Sequence, residues 1–316
     1  MPPRVTRLAP SPTGALHLGN LRTFLINWAA ARRDGWRVVL RLEDLDGPRI
    51  KPGAADEAVD LLRWLGLDWD GEPLTQSDDL APYTEALHRL RDAGRAYPCP
   101  ATRREIEAAA LSAPHGDEHE LHYPNLFRPA PGSPPPPIPD DAETAIRFVV
   151  PDGPVRFTDE RLGPQAVDVQ QQVGDFVVYT KAKLPAYQLA VVVDDARQGV
   201  TDVVRGDDLL RSTARQVLLY DALQLGPPPR TFHVPLVLGP DGRRLAKRHG
   251  DTRAATFRGR GVSAERVVGL LACWSGLTDE PTPMTAADFA ERFTWDALPA
   301  DPVTFTADDE AWLCGR

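Results

Sequence analysis

Two stretches of the 316-residue chain gather the groups that phosphate chemistry needs. The first is Pro10-Ser11-Pro12-Thr13-Gly14-Ala15-Leu16-His17-Leu18-Gly19-Asn20, a turn-rich run that leads into a helical pattern. A helix N-terminus offers unpaired N–H groups and a positive dipole to an anion. Glycine lets backbone and ligand approach closely, and the His17 imidazole can donate a hydrogen bond to a phosphate oxygen. The second is Arg243-Arg244-Leu245-Ala246-Lys247-Arg248-His249-Gly250, which follows a Gly-Pro-Asp-Gly turn. Its dense cations suit a triphosphate, and a loop there could bring Lys247 to developing charge. Neither GxxxxGK[ST] nor GxGxxG occurs, so phosphates are not held by a P-loop or a dinucleotide fingerprint.

Several elements must position these groups. Residues 4–9 read as a strand, and Leu18, Leu21, Leu25 and Ile26 recur at helical spacing up to Gly35. Val38-Val39-Leu40-Arg41-Leu42 reads as a second strand, completing a strand–helix–strand unit of a parallel sheet. Residues 54–66 and 80–93 are helical in pattern, each stopping at a glycine. Residues 129–139 hold seven prolines in eleven positions, which excludes regular helix or central strand. Residues 145–150 and 176–180 are β-rich. The apolar, β-branched run 187–194 reads as a buried strand. Residues 202–206 and 231–238 read as further strands, and 208–224, 263–277 and 285–293 as helices.

Composition narrows the class. Hydrophobic residues make up 42% of the chain, enough for a real core, and the net charge of −9 argues against a simple basic nucleic-acid binder. The charge is uneven, however: residues 1–50 carry +4 and residues 197–260 carry +6, while 51–196 carry −12 and 261–316 carry −7. Two basic segments meeting in space would make a cationic site on an anionic body. Three scattered cysteines form no disulfide framework, no apolar run could span a bilayer, and no signal region opens the chain, so a cytoplasmic setting is expected.

The motifs resemble a known family. Arg7-Leu8-Ala9-Pro10-Ser11-Pro12-Thr13-Gly14 with His17-Leu18-Gly19-Asn20 is similar to the HIGH region of class I aminoacyl-tRNA synthetases in its glutamyl form. Arg41-Leu42-Glu43-Asp44 resembles that group's Arg-Ile-Glu-Asp segment, and Arg244-Leu245-Ala246-Lys247-Arg248 its KMSKS loop. Ala190-Val191-Val192-Val193-Asp194-Asp195 and Val204-Arg205-Gly206-Asp207-Asp208-Leu209 resemble further glutamyl-type segments. The likeness runs in order from residue 4 to about 310.

The resemblance implies an α/β fold: a class I Rossmann-type parallel sheet with an α+β insertion and a short C-terminal helical segment. It divides the chain into a split catalytic domain, 1–92 and 186–238, an inserted acceptor-binding-like module, 93–185, and a KMSKS-like loop with a stem-contact-like segment, 239–316. About 66 residues follow Gly250, too few for an anticodon-binding domain. That length resembles the stand-alone glutamyl-Q tRNA(Asp) synthetases, which activate L-glutamate with ATP and Mg²⁺ without tRNA. They then attach glutamate to the queuosine base in the anticodon of tRNA(Asp). The resemblance implies catalytic roles for His17 and Lys247, ATP binding by His17, Gly19, Asn20, Arg244 and Lys247, and glutamate binding by Arg7, Leu8, Ala9, Pro10, Ser11, Glu43, Tyr187 and Arg205. Residue chemistry agrees in part: Glu43 suits an ammonium, Arg7 and Arg205 suit carboxylates, and which arginine takes which carboxylate stays open. No membrane partner is implied, and family habit implies a monomer.

Two departures stand out. In the KMSKS-like loop the Ser position is Ala246 and the first Lys is Arg244. The family often binds zinc through Cys-x-Cys, a Tyr and a Cys; here those positions hold Cys99, Ala101, Tyr123 and Phe127. One thiol and one phenol do not make a tetrahedral site, so no structural zinc is expected. The alternative is a rebuilt site of Cys99 with His115, His119 and His122. Two rival functions accompany the leading one: a truncated glutamyl-tRNA synthetase charging tRNA(Glu), and a catalytically silent tRNA-binding paralogue.

Overall fold

The computed structural model describes residues 3–102, 104–106, 122–130, 132–133, 136–138, 144–245 and 252–315. Strand β1 (Val5–Leu8) pairs in parallel with β2 (Arg37–Leu42), and β2 with the short β3 (Leu74–Thr75). Helix α1 (Leu18–Arg33) makes the crossover from β1 to β2, and α2 (Ala54–Trp64) precedes β3. Beyond β1 lies β9 (Asp202–Gly206), joined to it through Thr201, whose N–H donates to the Val5 carbonyl at 2.9 Å. Strand β9 pairs in parallel with β10 (Arg230–Val234), and β10 with β6 (Val155–Asp159). An antiparallel hairpin links β6 to β7 (Gly163–Val167). The spatial order β3-β2-β1-β9-β10 therefore reverses direction between β1 and β9. In open α/β sheets, ligands bind at the carboxyl ends of the strands at such a switch point.

A separate antiparallel sheet orders β4 (Ala96–Cys99), β5 (Ala145–Phe148) and β8 (Val177–Tyr179). It packs with α3 (Ala81–Asp92), α5 (Tyr187–Arg197) and α6 (Leu210–Ala222) around one core that includes Tyr83, Leu90, Phe148, Leu189 and Leu219. The single-turn α4 (Val169–Gln172) lies between β7 and β8. A second core joins α1 to the C-terminal helices α7 (Ala254–Gly259), α8 (Ala264–Trp274), α9 (Ala286–Arg292) and α10 (Ala307–Leu313). There, β11 (Val237–Leu238) pairs in parallel with β12 (Val303–Thr304).

One element differs in kind from its sequence reading. Residues 187–194 are not a strand but the first two turns of α5. Eight nearly all-apolar residues carry no period, so a buried strand and a buried helix look alike. Here α5 packs against both α3 and α6, and every residue from Gln188 to Asp195 is buried. The strand expected over 231–238 is interrupted at Pro235, giving β10 and β11. The β6–β7 hairpin has no counterpart in the sequence reading, although Val155, Phe157 and Asp159 alternate with more exposed residues, Gly153-Pro154 precedes β6 and Gly163-Pro164 opens β7.

Candidate active site

A cavity of about 540 Å³ opens at the carboxyl ends of β1 and β9. Arg7, Ala9, Pro10, Ser11, His17, Gly19, Asn20, Glu43, Tyr187, Arg205 and Arg244 all line it, drawn from segments up to 237 residues apart in sequence. Leu8 is the exception. Its side chain is fully buried in the core beneath α1 and does not border the cavity. Lys247 falls outside the described residues. On one side of that stretch the Leu245 N–H donates to the Val237 carbonyl; on the other, the Leu18 N–H donates to Thr252 and the Ala254 N–H to Leu16. Both flanks are thus fixed to elements that wall the cavity.

The wall at the start of α1 is built by a capping box. The Asn20 N–H donates to His17 Nδ1 at 3.3 Å, and the His17 N–H donates to Asn20 Oδ1 at 3.2 Å. Because Nδ1 accepts, the ring proton of neutral His17 sits on Nε2. Burial, reinforced by the nearby Arg244 charge, pushes the imidazole pKa down from 6.5 to about 4. The ring is therefore a neutral donor at physiological pH. Gly19 packs closely beside it: a Cβ there would lie 3.1 Å from the His17 ring and 3.3 Å from Val237, so the neighbours would have to give way slightly.

Behind the opposite wall, which Arg7, Glu43 and Arg205 line, lies a buried charge cluster. Arg41, fully buried, donates to Glu43 Oε1 through Nε and Nη2 (3.2 and 3.1 Å) and to Asp195 through Nη1 at 2.8 Å. Asp194 is held by Gln76 at 2.6 Å and by the Tyr83 hydroxyl at 3.0 Å. Arg7 lies 3.4 Å from Asp195, and its buried Nε makes no hydrogen bond. Burial raises the Glu43 carboxyl pKa, against the pull of Arg41 and Arg7. Burial likewise lowers that of the Arg205 guanidinium. Tyr187, at the start of α5, remains 41% exposed and adjoins Arg205. The cavity thus offers buried cations, a carboxylate and a phenol at one end, and a helix N-terminus with a neutral imidazole at the other.

Sequence reasoning assigned no role to Gly206 or Asp208. A Cβ at Gly206 would lie 2.6 Å from Asp208 and 2.9 Å from Leu236, so this wall admits only glycine without a shift. Asp208 accepts from Arg244 at 2.5 Å, which holds that cation at the rim. The pairing spans 36 residues, which local pattern does not reveal.

The zinc-related positions form a small cluster of their own. Cys99 Sγ and the Tyr123 hydroxyl lie 3.2 Å apart, both buried, and Ala101 packs beside them. Phe127 is half exposed and its N–H donates to the Tyr123 hydroxyl at 3.3 Å. His122 Nε2 is 3.2 Å from the Gln170 carbonyl, and His115 and His119 lie outside the described residues. A thiol and a phenol spent on each other do not fit a tetrahedral zinc.

Comparison with known proteins places this geometry. Residues 4–309 match the family described as tRNA synthetases class I (E and Q), catalytic domain. The chain is 48% identical to a glutamyl-Q tRNA(Asp) synthetase of Rhodopirellula baltica, an alignment covering 94% of this chain and 95% of that protein. It is 47% identical to the glutamyl-Q tRNA(Asp) synthetase of Symbiobacterium thermophilum, covering 98% of both. The crystal structure of a glutamate-tRNA synthetase from Elizabethkingia anophelis superposes with a TM-score of 0.81 at 25% identity, taking in 98% of this chain and 70% of that one.

Proposed function

The chain belongs to the class I tRNA synthetases of the E and Q type, and from that premise we propose that it is a ligase acting on tRNA(Asp). It activates L-glutamate with ATP, without tRNA, and transfers the glutamyl group to the queuosine base of the anticodon. One observation carries this reading: a single cavity gathers the His17 helix terminus with Arg7, Glu43, Tyr187 and Arg205. Identity of 47–48% to two glutamyl-Q relatives along nearly their full length supports it over charging of tRNA(Glu). The intact charge set speaks against a silent RNA-binding paralogue, which needs no amino-acid pocket.

Glutamate brings two carboxylates and one ammonium. Glu43 receives the ammonium, and Arg7 and Arg205 receive carboxylates, with the Tyr187 phenol as a further donor. ATP, with its Mg²⁺, lies with phosphates at the start of α1, where His17 Nε2–H, Gly19 and Asn20 meet oxygen atoms and Arg244 stands at the rim. Lys247 neutralises charge on the leaving pyrophosphate. The glutamate α-carboxylate attacks the α-phosphorus and pyrophosphate departs, leaving the mixed anhydride. A hydroxyl of the queuosine cyclopentene ring then attacks the anhydride carbonyl and AMP leaves. Neither step needs an enzyme nucleophile, so catalysis rests on positioning and charge stabilisation. Residues 1–92 and 186–238 serve as the catalytic domain, 93–185 as the module facing the acceptor, and 239–316 as the loop and stem-contact segment. The protein works as a cytoplasmic monomer.

Glutamate-dependent ATP–pyrophosphate exchange without tRNA is the first test. Exchange is expected with wild-type protein and its loss with Lys247→Ala, the fold intact by circular dichroism. Acylation of tRNA(Asp) with and without queuosine, with the labelled nucleotide mapped, is the second. Label on the 3′-terminal adenosine of tRNA(Glu) would replace this reading with its rival.

A further inference from the structure

Behind Arg205, on the side away from the cavity, stands a buried polar chain that the reaction does not touch. Arg205 and His233 are direct cross-strand partners in the parallel pair β9–β10, and Asp159 ends the neighbouring β6, beside Thr231. Arg205 Nε donates to His233 Nε2 at 3.0 Å, and His233 Nδ1 lies 2.7 Å from Asp159 Oδ2. All three residues are buried, His233 completely. Arg205 Nη2 also donates to Thr213 Oγ1 at 2.7 Å.

We propose that Asp159 and His233 are positioning residues: through a fixed imidazole tautomer they aim the Arg205 guanidinium into the glutamate cavity. A guanidinium only donates, so Nε2 of His233 must present a lone pair, which leaves the ring proton on Nδ1 facing Asp159. Asp159 is held in turn: its Oδ1 accepts from the N–H groups of Arg161 (3.1 Å) and Leu162 (3.0 Å) in the β6–β7 turn. The carboxylate is thereby locked to one strand, the imidazole to the next and the guanidinium to a third. With Nε and Nη2 spent on His233 and Thr213, the rotation of Arg205 is fixed, and its remaining edge faces the cavity beside Tyr187. Burying three polar groups costs desolvation that an apolar trio of equal volume would avoid. That cost is intelligible if the guanidinium must hold one orientation. The inference rests on the reading that Arg205 binds a glutamate carboxylate.

Three variants test it by ATP–pyrophosphate exchange and by calorimetric titration with L-glutamate. His233→Asn keeps a donor toward Asp159 but loses the acceptor for Arg205. His233→Gln places an acceptor near the Nε2 position. Asp159→Asn lifts the constraint on the tautomer without touching the cavity. A hydrogen bond to a charged group is worth about tenfold or more in binding. His233→Asn and Asp159→Asn are therefore expected to raise the glutamate KM about tenfold, with the ATP KM and kcat within about twofold of wild type. His233→Gln should recover most of the loss. A merely structural role would lower kcat or the folded fraction and leave glutamate KM alone. Unchanged glutamate KM in His233→Asn and Asp159→Asn, beside an active wild type, would overturn the positioning role. Wild-type protein that neither exchanges nor binds glutamate would instead remove the functional reading on which it rests.

Discussion

At His17 the two ring nitrogens divide their work between fold and chemistry. Nδ1 caps α1 by accepting from Asn20, and Nε2–H is left for a phosphate oxygen. Asparagine is a strong N-cap and alanine a weak one. His17→Asn should therefore keep the helix start while losing the ring donor, whereas His17→Ala loses both. Exchange is expected to fall roughly tenfold to a hundredfold in both variants, as for loss of a hydrogen bond to a charged group. Only His17→Ala should also lower unfolding stability, by about 1 kcal/mol in urea titrations. The depressed pKa adds a pH signature. The unfolded chain takes up the His17 proton near 6.5 and the folded chain only near 4. The contribution to stability is thus complete above about 6.5 and is lost as pH falls through 4. Replacing His17 by Asn should flatten the urea midpoint across that window relative to wild type.

The elements that hold the site are tied by single buried side chains. Arg22 on α1 is 1% exposed; its Nε donates to Ser275 Oγ, Nη1 to the Pro235 carbonyl and Nη2 to the Trp274 carbonyl. It thereby binds the end of α8 and the β10–β11 link to the helix that carries His17. Burial lowers its pKa to about 10, so it stays charged at neutral pH. Arg22→Leu leaves two carbonyls without their donor, and a loss of about 2–4 kcal/mol is expected in the unfolding midpoint. A change below about 0.5 kcal/mol would refute this bracing role. Local pattern could not foresee the brace, because its partners lie 213 to 253 residues away. The same holds for Asp208 with Arg244 and for Asp159 with His233. By contrast α2 and α3 were legible from apolar spacing, since each buries one face against a core. The run 187–194 reads as a strand for the converse reason: every residue from Gln188 to Asp195 of α5 is buried, so no polar stripe marks the helix. The cavity residues were legible through motif likeness, which carries non-local information that periodicity lacks. Leu8 shows the limit of that likeness, for a motif includes residues that serve only the core.

Across the whole molecule, the two basic segments of the sequence do meet. Arg7 from the first and Arg205 and Arg244 from the second line one cavity, in a chain whose net charge is −9. Cations from both segments are thus brought together at one cavity suited to small anionic substrates. Charges enclosed in that cavity are weakly screened by salt, whereas contacts between surface residues and RNA phosphates release counterions and weaken steeply. The two half-reactions should therefore separate under salt. Between 50 and 200 mM KCl, glutamate-dependent exchange is expected to change less than about threefold. Transfer to queuosine-bearing tRNA(Asp) should fall with a log–log slope of about −2 to −3, corresponding to roughly three or four neutralised phosphates. That slope amounts to about a 16- to 64-fold loss of kcat/KM for tRNA over the fourfold change in salt. A slope steeper than about −6 would require an extensive basic docking face and would contradict the assignment of the cationic potential to the cavity. Equal sensitivity of both half-reactions would show instead that salt acts on the cavity itself.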